Sequence, residues 1–314
     1  MIANFIFYYH ILILLAITVI IALFCRNKKF LYISIVVTNM VGLYEDIINM
    51  VGLTALCGFG IMAYLYFHVK NYNNVLKTLL FIGLSTFLAG FPFHVIPGFF
   101  KNTQVQFVAL LSSFSISLNF DKTMSALILY SIRHFYILEK KIDIKSLQQT
   151  VISLLICISL VLIPAFISGY VKFDPKIPSM LWIWAMNNFF FVCMAEEIIF
   201  RVFLQNTLKT CIGYLYKKVA LTPANASAEV NGGLLKPLAK FDTVVSKNLH
   251  IIIASLLFGL VHLKGGIIYI IFATICGLCY GYTYDKTNRL ICAMVVHFGL
   301  NLCHLLLFSY PTAV

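Results

Sequence analysis

Eleven apolar blocks, parted by short polar stretches, run the length of this 314-residue chain. They fall near 4–25, 30–44, 51–69, 78–100, 104–120, 123–138, 148–170, 179–208, 248–263, 267–284 and 290–309. A helix needs ~20 predominantly apolar residues to cross the hydrocarbon of a bilayer, and backbone in lipid must satisfy its own hydrogen bonds. Blocks of this length and number imply an all-α fold, a polytopic transmembrane helical bundle of about 8–10 spans. Composition agrees, since 61% hydrophobic and 11% charged residues lie far from a soluble domain. Asn4 to Cys25 has no basic stretch ahead of it and no small-residue cleavage site, so it reads as a retained span.

Block 30–44 is short, and block 104–120 carries Gln104, Gln106 and five Ser or Asn, so one of them is expected not to span. Basic residues orient the rest. Arg26, Lys28 and Lys29, then Lys70 and Lys77, then Arg133, Lys140, Lys141 and Lys145, the six Lys from Lys209 to Lys247, and Lys286 with Arg289 mark the cytoplasmic side. Glu45, Asp46, Asp174, Lys176 and Lys264 then fall outside. This parity holds only if block 104–120 enters and returns or lies along the surface. The net charge of +12 is dispersed over loops without a basic domain, which points to topology and anionic headgroups rather than nucleic acid. Most of the nine Cys lie in apolar segments and read as small hydrophobes, Cys276-Gly-Leu-Cys279 included.

One single membrane domain, 1–314, is the simplest division: spans 1–145, then a core 146–314 interrupted by a polar loop at about 209–247. Asn225-Ala-Ser227 in that loop fits a glycosylation pattern that a cytoplasmic position makes inert. His10, His68, His94, His134 and His250 are each expected to be satisfied within helix cores.

Within the apolar run from Leu181 to Leu208 stand Glu196, Glu197 and Arg201. A charge at the bilayer centre costs at least ~2.5–3.5 kcal/mol, so intramembrane ionisable residues are functional candidates. Two more features join them: Phe258-Gly-Leu-Val-His262, expected within one apolar helix, and His297-Phe-Gly-Leu-Asn301 in another. Four-residue spacing puts each pair on one helix face. Measured along helices from the cytoplasmic side, Glu196, His262 and His297 all fall at middle depths of a ~30 Å core, compatible with one buried polar site. On an α-helix Glu197 and Arg201 at i, i+4 can pair, leaving Glu196 to face another helix. Burial and the neighbouring carboxylate raise a carboxyl pKa towards general-base use. A Glu and a His can hold and deprotonate water, and a His with an Asn one turn on can donate to an oxyanion. Such parts suit hydrolysis of an amide or ester carbonyl.

The three motifs, in this order, resemble those of the CAAX prenyl endopeptidases and bacteriocin-processing enzymes, the CPBP or Abi intramembrane proteases. The resemblance covers about 179–309, including Ser255-Leu-Leu-Phe-Gly-Leu-Val-His and Gly277-Leu-Cys-Tyr-Gly-Tyr. It implies a glutamate-dependent endopeptidase, multi-pass in a bacterial inner membrane, in which Glu196 activates water with His262. His297 and Asn301 would then supply the oxyanion hole, while Glu197, Arg201 and Phe258 support the site. The implied partner is a membrane-associated peptide or protein, a prenylated CAAX type or a peptide precursor, with the lipid bilayer and no nucleic acid. No cofactor is required, but Zn²⁺ held by Glu196, His262 and His297 stays open as an alternative. The stretch between Arg201 and His262 is longer than is usual for the family, with a surplus around Thr222 to Lys240 at the expected cytoplasmic mouth. A transporter or immunity protein that binds a peptide or lipid through the same polar cluster is the competing reading.

Overall fold

A computed structural model describes residues 9–25, 27–69, 73–99, 104–109, 112–117, 119–133, 143–179, 181–220 and 244–310. Arg26, Lys70, His134, Lys140, Lys141, the Asn225 pattern and the 222–240 surplus lie outside the described residues. Among the described residues ten helices follow in order: α1 Tyr9–Phe24, α2 Lys28–Tyr44, α3 Met50–His68, α4 Asn74–Gly90, α5 Phe120–Arg133, α6 Ile144–Ile167, α7 over 181–220, α8 Val244–Leu260, α9 Gly266–Thr287 and α10 Leu290–Leu307. Strands β1 Gln104–Ala109 and β2 Ser112–Ser117 precede α5, while β3 Lys172–Phe173 pairs with β4 Phe308–Ser309. Among the described residues, five helices are long and apolar enough to cross a membrane: α3, α6, Leu181–Leu215 of α7, Leu263–Thr287 with α9, and α10. Shorter apolar helices are His10–Phe24, Asn74–Gly90 and Asn248–Leu260. The chain is an all-α polytopic membrane bundle.

Block 104–120 forms no helix. Its two strands pair antiparallel from Gln104 with Ser117 to Ala109 with Ser112, so this block is a hairpin and not a helical span. Several helices start where an Asn or Asp can accept from the orphan amides of a first turn. Asn27 accepts from the Lys29 amide, Asn49 from Val51 and Gly52, Asn73 from Leu76, and Asp143 from Ser146.

The helices divide into two units. The first comprises 1–142, 171–199 and 301–314, and the second comprises 143–170 and 200–300. In the first, α5 is the core element, packed against α1, α2, α3 and the Met194–Glu197 turn of α7. It is short and buried on nearly every face, which its small Thr and Ser residues permit; Ser125 and Ser131 return their hydroxyls to backbone carbonyls three residues back. Thr18 of α1 meets Ser34 and Thr38 of α2 at 2.6 and 2.8 Å, a buried polar tie between apolar helices. At the start of α3, Gly98 adopts φ +91° and a Cβ there would lie 2.2 Å from the Gly52 nitrogen, so this crossing requires glycine. His10, expected in a core, is instead exposed, with Nδ1 3.9 Å from Glu45.

In the second unit α9 packs against α8 and α6. Gly277 permits the approach, since a Cβ there would lie 3.0 Å from Ser255 Cα. At the expected cytoplasmic end, a polar layer ties α7, α8 and α9. Gln205 donates to the Gly281 carbonyl at 3.0 Å, Asn206 to the Tyr284 hydroxyl at 3.0 Å, and Lys209 to Asp285 at 2.6 Å. His250, buried as expected, meets the same Asp285 oxygen at 3.2 Å. The outer side of α6 exposes Val151, Ile152, Leu155 and Ile163, the apolar surface that a lipid-facing helix presents.

Candidate active site

The seven motif residues are divided between the units: Glu196, Glu197 and Asn301 belong to the first, and Arg201, Phe258, His262 and His297 to the second.

Helix α7 is not uniform where it carries the glutamates. Asn187–Cys193 and Ile198–Gln205 are wide π-helical turns, and the α-helical Met194–Glu197 sits between them. The regular i, i+4 register expected for Glu197 and Arg201 therefore gives way to a wider turn. Such turns cost hydrogen-bond quality and recur at functional sites. Glu197 is fully buried. The side chain of Glu196 is 14% exposed, and its Oε1 accepts from the Lys122 ammonium at 2.6 Å. Lys122 stands in the first turn of α5, beside Asp121. Asp121 is buried and accepts through Oδ1 from the Lys122 amide at 2.8 Å, while Oδ2 meets His94 Nδ1 at 2.7 Å.

The third motif's Asn301 donates through Nδ2 to Asn188 Oδ1 at 3.2 Å, with Cys193 Sγ at 3.9 Å as a weak acceptor. Cys193 itself donates to Asn188 Oδ1 at 3.3 Å. Both partners of Asn301 come from the first π-helical stretch, so the widened turn positions an amide of the third motif.

In the second unit Phe258 is an aromatic hub. Its ring centroid lies 5.0 Å from Phe200, 4.9 Å from His262, 6.0 Å from Tyr280 and 6.0 Å from His297. The buried Arg201 guanidinium stands 5.5 Å from the same centroid, within cation–π range. His297 is buried and stacks on Tyr280, centroids 4.5 Å apart and planes 15° apart.

His262 departs from expectation. Helix α8 ends at Leu260, and His262 occupies the turn that precedes a short Leu263–Gly265 3₁₀ segment. The last carbonyls of a helix lack amide partners, and His262 Nδ1 lies 2.7 Å from the Phe258 carbonyl. A carbonyl only accepts, so Nδ1 carries the proton and the neutral ring keeps its lone pair on Nε2. Ending the helix two residues early thus fixes the tautomer of this histidine. Among the described residues, no group of three His, Cys, Asp or Glu is placed to hold a metal ion.

Lys122, Tyr280 and Asn188 were not singled out from the sequence. The available signals were a charged pair, Asp121-Lys122, at the edge of an apolar block, Asn187-Asn188 inside one, and the place of Tyr280 in the Gly277-Leu-Cys-Tyr-Gly-Tyr stretch.

Residues 178–303 match the family described as "Rce1-like: Type II CAAX prenyl endopeptidase Rce1-like". The matched segment contains all three motifs, so the CAAX-protease-like resemblance is supported where the candidate residues lie. No curated protein and no solved structure matches the chain. The family match points to a protease, and the long apolar helices make it an integral, multi-pass membrane protein.

Proposed function

We propose that the protein is a glutamate-dependent intramembrane endopeptidase that hydrolyses a peptide bond of a membrane-associated substrate, a prenylated CAAX-type protein or a peptide precursor. The observation that carries this reading is the family match across Glu196–Arg201, Phe258–His262 and His297–Asn301. It is supported by the tautomer of His262, whose free Nε2 is the acceptor that a water-orienting histidine requires.

In this mechanism Nε2 of His262 accepts a hydrogen bond from one O–H of a water, which keeps that hydrogen, and Glu196 removes the other proton. The water oxygen bonds to the scissile carbonyl carbon, and the carbonyl oxygen becomes an oxyanion. His297 and the Asn301 amide donate to that oxygen; preorganised donors aimed at developing charge give the largest single term in many hydrolases. The carbon–nitrogen bond then breaks, and the proton held by Glu196 passes to the leaving amine. Arg201 and Phe258 hold the two histidine-bearing segments through the aromatic hub.

The test is mass spectrometry of CAAX-type prenylated peptides and hydrophobic precursor peptides incubated with the purified protein in liposomes. Two new termini from one internal bond support the proposal. Saturable binding with the peptide recovered intact supports a transporter or immunity protein instead.

A further inference from the structure

The ion pair between Lys122 and Glu196 draws on α5, outside the matched segment 178–303, to engage a residue inside it. An exposed pair of this kind contributes little, but here the Lys122 and Glu196 side chains are only 11% and 14% exposed, and nitrogen and oxygen are 2.6 Å apart. Two charges so far from water persist only where geometry and further hydrogen bonds hold them.

That geometry is built in. Lys122 stands on the first turn of the most enclosed helix of its unit. Its backbone is pinned by the buried Asp121, which accepts from the Lys122 amide and is braced on its other oxygen by His94. His94 reaches Asp121 from a backbone at φ +54°, a conformation that a non-glycine residue keeps only where its surroundings enforce it. Thr123, the next residue, donates to the Phe191 carbonyl of α7 at 3.4 Å, which locks α5 against the helix that bears Glu196.

We infer that Lys122 is a positioning residue for Glu196: its ammonium supplies the counter-charge of the buried carboxylate and fixes Oε1, so that the carboxylate meets water in one orientation. This rests on the endopeptidase reading in one respect, that Glu196 is the group that handles the water. A 1 Å misplacement of a reacting group can cost about 10²-fold in rate, which sets the expected effect.

The experiment compares wild type, Lys122→Arg, Lys122→Met and Glu196→Gln in liposomes with a quenched-fluorescence reporter peptide. Lys122→Met should lower kcat by about 10²-fold and leave KM within roughly a factor of two, because uniform binding is untouched. Lys122→Arg, which keeps the charge, should recover most of the loss; a merely structural lysine would not give this split. Unfolding midpoints of wild type, Lys122→Met, Glu196→Gln and the double variant supply a readout independent of turnover. The double variant should be no less stable than the worse single one, since the buried charges are coupled. If Lys122→Met does not fold, Lys122→Gln takes its place in both measurements. Wild-type kcat in Lys122→Met, a loss in KM alone, or strictly additive stability losses would overturn the assignment. Equal turnover by wild type and Glu196→Gln would instead remove the endopeptidase reading, while the stability cycle would still report whether the pair is coupled.

Discussion

The imidazole of His297 lies nearly parallel to the ring of Tyr280, with 15° between their planes and 4.5 Å between centroids. Offset aromatic stacking of this kind orients a ring as well as burying it. Tyr280 is 1% exposed, so Tyr280→Ala should cost about 3–5 kcal/mol of stability and lower kcat by about 10²-fold through a loosened His297. Tyr280→Phe keeps the stack and should retain more activity than Tyr280→Leu. Equal kinetics for the Phe and Leu variants would show that the stack has no part in turnover.

Asn188 bears on the other member of the third motif, because its Oδ1 accepts from Asn301 at 3.2 Å. Asn188→Leu deletes that acceptor with little change of volume. A hydrogen bond contributes about 1 kcal/mol net, so kcat should fall roughly fivefold with KM little changed, read from steady-state cleavage kinetics. An effect on KM alone would place Asn188 in substrate binding.

Close packing of α8 on α9 depends on Gly277, where an added Cβ would stand 3.0 Å from Ser255 Cα, a backbone atom that cannot swing aside. Gly277→Val should lower stability by about 1–3 kcal/mol, the usual cost of overpacking. Gly58 on α3 has nothing within 4 Å of the same position, so Gly58→Ala serves as the tolerated control. Thermal unfolding in detergent distinguishes them, and equal midpoints would contradict the packing account.

His94, in the loop after α4, gives a pH signature. Its hydrogen bond to the Asp121 carboxylate raises its pKa above the usual 6.5, against partial burial, which lowers it. A histidine raised on folding contributes stability that is fully present below 6.5 and is lost as pH climbs through the raised value. The unfolding midpoint of wild type should therefore decline with pH above 6.5 more steeply than that of His94→Gln. Parallel slopes would mean that the pair makes no net contribution.

Much of this was legible in the chain itself. Ten of the eleven apolar blocks each hold a helix, because span length and hydropathy are local properties, although α4 stops at Gly90, short of the end of block 78–100, and α7 runs on to 220, past block 179–208; the three motifs are read from spacing alone. Four features were hidden for physical reasons. Lys122 meets Glu196 across 74 positions of sequence, a pairing that no local pattern announces. The π-helical turns around Glu196 have no residue signature, since the same apolar residues serve an α-helix equally well. The end of α8 before His262 was masked by Val261 and Leu263, which continue the apolar run, although Gly265-Gly266 just beyond marked a break. For block 104–120, polar Ser and Gln argued against a span, yet periodicity did not reveal a hairpin.

The central claim is that the Glu196 carboxylate removes a proton from the attacking water. Glu196→Gln keeps the shape and loses the base, so the direct measurement is the single-turnover rate of reporter cleavage by the purified variant against wild type, in liposomes at equal folded protein. General-base contributions run to about 10²–10⁴-fold; a loss of that size with peptide binding retained is the predicted result. Cleavage by Glu196→Gln at the wild-type rate would contradict the account.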